Sequence, residues 1–349
     1  MAALVPGSVV GGYRLVEVIG AGGMGTVWRA SEPGGQVALK TMHPHLADDT
    51  ELVRRFQREY AVGAKVRHPN LIRMRSHGQH DGVPYLVMDI ASGKSVRRLI
   101  DLGGPFREWE AATIGQQVAS ALAALHGAGV VHRDLKASNI VLDRDLHAVV
   151  IDLGIARVDG DQTRADGGFM GSAEYAGPEP YLGRPAGTPA DIYALGIVLF
   201  ELLTGDVPFR ASSYADVLRM HAEMPAPRVS TRMPLVSETM DYLVFAMLDK
   251  KAERRPNATQ VEMACASVLR LLGRRPAVPA PGPSFAPAPP AAPAPAIPPR
   301  QPVASRPSSP GGVERRDRDA VGAGTVLIGI MGAILVTLAV AIAAGAGHG

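Results

Sequence analysis

The chain has 349 residues, with 36 Lys and Arg against 33 Asp and Glu, a formal net charge of +3 and one cysteine. That length allows one large domain or two small ones with extensions, and the near balance of charge, without a long Lys/Arg run, gives no nucleic-acid arm. A lone Cys265 excludes an intrachain disulfide and fits a reducing compartment, where it reads as a small core residue of a late helix. The first twelve residues, "MAALVPGSVVGG", lack the charged and long apolar regions of a signal peptide and read as an N-terminal extension.

In chain order, residues 13–41 predict three strands, "YRLVEVIG", "TVWRA" and "QVALKT", parted by Gly-rich turns. The stretch "DDTELVRRFQREYAVGAKVR" predicts a helix: Asp48 and Glu51 are spaced as a capping box, Leu52, Phe56 and Tyr60 recur every fourth residue, and Pro69 closes the segment. Two further strands, "LIRMRSHG" and "PYLVMDI", flank an Asp81-Gly82 turn. From about Glu108 the pattern is helical, with "EAATIGQQVASALAALHGAG" ending at glycine. The later "DIYALGIVLFELLTG" is apolar nearly all round, as a buried helix is. Strands first and helices after predict an α+β fold of two lobes, over residues 13–273, with a cleft between them.

Residues 274–324 change character. Up to residue 312 they are dominated by Pro and Ala, a composition that cannot bury a core and favours a semi-stiff, extended tether. Residues 325–344 are uncharged, and at about 1.5 Å each they match a bilayer core of about 30 Å, which predicts a single transmembrane helix. Arg315, Arg316 and Arg318 precede this span and no Lys or Arg follows it, so the preceding lobes are expected in the cytoplasm. Residues 345–349 would then be a short tail on the far side, with no external sensor domain. Thr325, Gly329, Ala333, Thr337 and Ala341 recur every fourth residue. They are either a packing stripe for a homodimer or the ordinary small-residue content of such a helix.

Three motifs carry chemistry. In "GAGGMGTV", Gly20, Gly22 and Gly25 make a G-x-G-x-x-G, which a dinucleotide-binding turn shares; but a β-branched run follows where that turn needs a helix. Two strands joined by glycines form instead a hairpin, flexible or serving as a flap whose backbone approaches phosphates. In "VALK", Lys40 is a strand-borne cation for phosphate oxygens, with Glu59 on the next helix as its partner. The stretch "GGQVALKT" fails as a P-loop because Leu39 stands where glycine is required. Most specific is "HRDLKASN", which puts Asp134, Lys136 and Asn139 on one loop, with "DLG" and its Asp152 thirteen residues after Asn139. A carboxylate for a hydroxyl proton, a cation for a moving phosphoryl group and oxygen ligands for Mg²⁺ are the parts that transfer from ATP requires.

Over residues 13–272 the chain resembles a bacterial Hanks-type, eukaryotic-like serine/threonine protein kinase. The motifs stand in that family's order: "GAGGMGTV", "VALK", Glu59, "HPN" at His68–Asn70, "HRDLKASN", "DLG", "GPE" at Gly177–Glu179 and "DIYALG". The resemblance implies a bilobal kinase fold, a β-rich N-lobe and an α-helical C-lobe, using ATP with Mg²⁺ or Mn²⁺ on protein Ser/Thr substrates. It implies that Lys40, paired with Glu59, binds the α- and β-phosphates, that Asp134 accepts the hydroxyl proton, that Lys136 steadies the γ-phosphate, and that Asn139 and Asp152 hold the metal. The implied ATP site comprises Ile19, Gly20, Ala21, Gly22, Gly23, Met24, Gly25, Val27, Ala38 and Lys40, with Met88 as gatekeeper and the backbone of Asp89 and Ala91 against adenine. Lys136 resembles the serine/threonine branch, and Glu179 is expected to pair with Arg255. His132, Asp191 and Trp28 are assigned to structure rather than catalysis.

Three positions depart from the family pattern: Leu153 for Phe, Ser172 for Thr, and Gly177 for Ala, the last expected to loosen its loop. None removes a required charge. Arg133 resembles the arginine that pairs with an activation-loop phosphate. Thr163 is the only hydroxyl residue between Leu153 and Ser172, and Asp166 is the alternative partner. Besides an active, membrane-anchored and autophosphorylating kinase, the sequence leaves open a membrane-tethered pseudokinase scaffold and, more weakly, a small-molecule kinase.

Overall fold

The computed structural model describes residues 4–153 and 173–274. Alternating apolar residues build the first lobe. Strands β1 (Val9–Val10), β2 (Tyr13–Gly22), β3 (Gly25–Glu32), β4 (Gly35–Met42), β5 (Met74–His80) and β6 (Val83–Met88) form an antiparallel sheet in the order β1-β2-β3-β4-β6-β5. Period-two alternation splits β4 between two cores. Val37 and Leu39 join Trp28 and Leu15 on one face, while Ala38 and Met42 join Phe56, Leu86 and Met88 on the other. Lys40 shares the second face with Ala38 and Met42, and that face carries helix α1 (Thr50–Gly63). The β5–β6 turn is the expected one: Asp81 and Gly82 both have positive φ, 50° and 80°.

Helix α1 corrects the expected boundaries. Its N-cap is Asp49, not Asp48, with the carboxylate accepting from the Glu51 and Leu52 N–H groups at 2.9 and 3.1 Å. It ends at Gly63 rather than Arg67. A Cβ there would sit 2.9 Å from the Met74 side chain and 3.0 Å from Leu153, so glycine lets the helix end lie on the sheet. Strand β5 likewise starts at Met74 rather than Leu71, because the Ile72 N–H donates to the Val150 carbonyl (2.9 Å) instead of joining the sheet.

The second lobe begins with β7 (Lys94–Ser95), α2 (Val96–Gly103) and α3 (Glu108–Gly127), followed by β8 (Ile140–Leu142) and β9 (Ala148–Val150); β8 pairs with both β7 and β9 in a small antiparallel sheet. Helix α4 (Thr188–Thr204) is buried from Asp191 to Leu203, as its all-round apolar sequence predicts, and Gly205 at φ 83° closes it. It lies so close to α6 (Glu238–Met247) that a Cβ on Gly196 would be 2.9 Å from Met247. Helix α5 (Tyr214–Glu223) and helix α7 (Ala258–Leu271) complete the lobe, with Cys265 fully buried in α7 as expected.

Among the described residues no helix is long and apolar enough to cross a membrane. The chain from residue 275 on, holding most of the expected linker, the span at 325–344 and the tail, lies outside the described residues, as do Thr163, Asp166 and Ser172.

Candidate active site

The cleft between the lobes is organised by Lys40. Its Nζ donates to both Glu59 oxygens at 3.0 and 3.1 Å and to Asp152 Oδ1 at 3.1 Å. One ammonium therefore joins β4, α1 and Asp152, two residues beyond the end of β9. Glu59 is 2 % exposed, Lys40 14 %, whereas the Asp152 side chain keeps 41 % of its surface open. Burial disfavours the Lys40 charge, but the two carboxylates outweigh it and hold the ammonium well above the ordinary lysine range. Burial pushes the Glu59 carboxyl up to about 7 against the pull of Lys40. Burial also opposes ionisation of Asp152, but Lys40 prevails and keeps it below the usual carboxylate value.

The loop "HRDLKASN" is shaped from beneath. Buried Asp191 on α4 accepts the His132 N–H at 2.8 Å and the Arg133 N–H at 2.9 Å, and its Oδ2 lies 2.8 Å from His126 Nε2. These bonds hold Arg133 at φ 66°, a left-handed conformation that is costly for a residue with a side chain of this kind. Asp134 follows at once. Lys136 Nζ donates to its Oδ2 at 2.8 Å, and Asn139 Nδ2 donates to its carbonyl at 2.9 Å and to Oδ2 at 3.3 Å. With its N–H groups committed to Asp134, Asn139 has Oδ1 left to offer a cation. That oxygen and the open Asp152 carboxylate are the hard, sparse donor set that Mg²⁺ accepts when phosphate and water complete its shell, so the residues fit the ion.

The expected nucleotide residues come together on one side of this cluster. Ala38 and Met88 line the sheet face beside the partly buried Val27 and Ala91. The Asp89 N–H donates to the Arg73 carbonyl at 2.9 Å, which corrects the expected strand end: β6 stops at Met88 and Asp89 begins the connection to the second lobe. Ile19 to Met24 and Gly25 form the β2–β3 hairpin, paired Gly20–Val27, Ala21–Thr26 and Gly22–Gly25. Gly25 is required by close approach, since a Cβ would fall 2.0 Å from the Thr41 carbonyl oxygen; around Gly22 and Gly23 a Cβ meets nothing within 4 Å.

The residues assigned to structure behave so. Trp28 Nε1 donates to Thr41 Oγ1 at 3.3 Å, and Arg255 Nη1 donates to Glu179 Oε1 at 2.6 Å inside the helical lobe. Gly177 is not a loosened position: it is buried, and a Cβ would sit 2.1 Å from Glu179 Oε2, so glycine fits the chain around the paired carboxylate. Sequence reasoning missed a network beneath this segment, in which Tyr175 donates its hydroxyl to buried Glu201 on α4 and Arg97 of α2 donates to the same carboxyl group. Burial raises the Glu201 carboxyl, with Tyr175 and Arg97 opposing.

A two-lobed fold with a lysine tied to a helix glutamate and a loop aspartate, above an Asp–Lys–Asn catalytic loop, defines the protein-kinase class. The family model "Protein kinase domain" matches residues 13–264, and the chain belongs to that family, in its bacterial Hanks-type serine/threonine branch. Among its relatives, serine/threonine-protein kinase PkaA of Streptomyces coelicolor is 35 % identical over 278 residues, covering 75 % of this chain and 50 % of that protein. PrkC of Bacillus subtilis is 35 % identical over 245 residues, covering 69 % and 38 %. The crystal structure of the Mycobacterium tuberculosis PknI kinase domain superposes with a TM-score of 0.60 at 27 % identity, covering 76 % of this chain and 100 % of that one. The chain thus matches half or less of the length of the two curated relatives.

Proposed function

We propose that this chain is a membrane-anchored serine/threonine protein kinase that transfers the γ-phosphoryl group of ATP to Ser and Thr hydroxyls of proteins, its own among them. The observation that carries the reading is the three-way contact of Lys40 with Glu59 and Asp152 at 3.0–3.1 Å, above a loop in which Lys136 and Asn139 both converge on Asp134. Adenine would lie against Ala38 and Met88, with the Asp89 carbonyl and Ala91 N–H as its hydrogen-bonding edge. Lys40 would meet the α- and β-phosphates. The substrate oxygen bonds to the γ-phosphorus as the bond to the β–γ bridging oxygen breaks; its proton passes to Asp134 and ADP leaves, while Lys136 holds the transferred group. Asn139 and Asp152 would hold the magnesium ion, which supplies charge neutralisation on the phosphates when bound. Manganese suits the same oxygen donors.

The test is transfer of label from [γ-³²P]ATP to a generic protein substrate by the purified full chain, followed by phosphoamino-acid analysis. Phosphoserine and phosphothreonine should form with wild type and disappear with Asp134→Asn. A wild-type chain that binds Mg-ATP without transferring phosphate would restore the scaffold reading, which otherwise has no observation in its favour. The membrane part of the proposal rests on the uncharged residues 325–344 and the arginines before them. Removing residues 325–349 should move the kinase from the membrane to the soluble fraction. Pairing of two such spans through Gly329 and Ala333, and phosphorylation of Thr163 opposite Arg133, would link proximity to activation.

A further inference from the structure

One residue that the nucleotide reading does not use holds the glycine hairpin in place. His43 follows β4, three residues after Lys40. Its backbone N–H donates to the Met24 carbonyl at 2.9 Å, and its Nε2 lies 2.9 Å from the Gly22 carbonyl. A carbonyl has no proton to offer, so Nε2 is the donor. His43 has an extended backbone, φ −67° and ψ 133°, and its ring stacks on His45 with centroids 5.5 Å apart. Both carbonyls belong to the turn Gly22–Gly25, where Gly22 and Gly23 are otherwise in open space. Among the described residues the turn is thus tied by a side chain and an N–H of His43, the residue that directly follows the Lys40 strand.

We propose that His43 is a positioning residue for ATP: it fixes the height of the glycine flap over the phosphates by tying the Gly22–Met24 carbonyls to the Lys40 strand. The proposal rests on the kinase reading. A planar trans peptide points its N–H opposite to its carbonyl, so the Gly22 carbonyl held by His43 also sets the direction of the Gly23 N–H. Without the imidazole the tip loses its side-chain tie to this segment, and the nucleotide must supply the order that His43 supplies in advance. This contribution is the same before and during phosphoryl transfer, so it acts on KM and not on kcat.

The test is steady-state kinetics of the full chain with His43→Ala and His43→Gln, varying ATP and protein substrate separately. His43→Ala should raise KM for ATP between about threefold and tenfold, the range of one lost hydrogen bond, with kcat and the protein-substrate KM within about twofold of wild type. His43→Gln, whose amide N–H reaches as far as Nε2, should return KM for ATP to within about twofold. An unchanged KM in His43→Ala, a loss that falls on kcat, or a glutamine variant no better than alanine would overturn the proposal while leaving the kinase reading intact. A wild-type chain that transfers no phosphate removes both.

Discussion

The two ends of the active site are built in opposite ways. The catalytic loop is fixed from inside the helical lobe, where buried Asp191 collects two backbone N–H groups and holds Arg133 in a left-handed conformation. The glycine flap is fixed from outside, by edge contacts from Thr41 and His43 around a tip where, among the described residues, a Cβ on Gly22 or Gly23 meets nothing within 4 Å. Lys40 stands between them and owes its place to neither, being held by charge: two carboxylates keep one ammonium at the cleft. Groups that must stay at fixed distance from a reacting hydroxyl sit on the over-determined loop. Groups that must let a nucleotide in and out sit on the sparsely held one.

Breaking the middle of this arrangement should give the largest effect. Lys40→Met removes the phosphate contact and should lower kcat at least about a hundredfold. The fold should survive, because Glu59, already pushed up to about 7, can take a proton when its partner is gone. Equal thermal melting with lost transfer is the expected pair of readings. A variant that still turns over at near the wild-type rate would remove Lys40 from the site.

Breaking the buried scaffold should show in stability as well. Asp191→Ala removes the carboxylate that accepts the His132 and Arg133 N–H groups, and should cost about 2–5 kcal/mol, read as a lower midpoint in urea. Asp152→Asn, in the more open part of the cleft, should lose Mg²⁺-dependent turnover with a midpoint shift well under half of that. Similar midpoint shifts for the two variants would erase the distinction drawn here.

A smaller effect comes from pH. Burial, seconded by the Lys250 charge, pushes His221 down to about 3, and its Nδ1 lies 3.0 Å from the Tyr193 hydroxyl. The unfolded chain takes up that proton near pH 6.5 and the folded chain does not, so acid favours unfolding. Stability should fall by up to about 1.4 kcal/mol per pH unit from about 6 to about 4 on account of this residue. His221→Asn keeps an acceptor for Tyr193 and removes the proton equilibrium. The stability difference between wild type and His221→Asn should therefore change across that range, and a constant difference would show that His221 does not titrate on unfolding.

The sequence made the charged part of the site legible. Lys40, Glu59, Asp134, Lys136, Asn139 and Asp152 were each named from motif and resemblance, and the structure gathers them into two groups, Glu59 and Asp152 on Lys40, and Lys136 and Asn139 on Asp134. The long helices were legible from composition and a stop signal, because α4 is apolar nearly all round and α3 ends at glycine. What escaped were contacts between segments far apart in sequence and without a pattern of their own. Nothing local distinguishes Asp49 from Asp48 as a cap, marks His43 as reaching back to Gly22, or sets Glu201 apart within an apolar helix as the acceptor for both Tyr175 and Arg97. Gly177 was read as slack because a small residue on a loop usually is. Only the structure shows that a methyl group there would meet the Glu179 carboxylate, which would have to shift to admit it.

The contrast between the two ends is tested most directly by hydrogen exchange at single amides, with and without Mg-ATP. The His132 and Arg133 amides should exchange slowly in both conditions. The Gly23 and Met24 amides should exchange rapidly without nucleotide and become protected when it binds. Rapid exchange at His132 and Arg133 without nucleotide, or a flap equally protected in both conditions, would contradict that contrast.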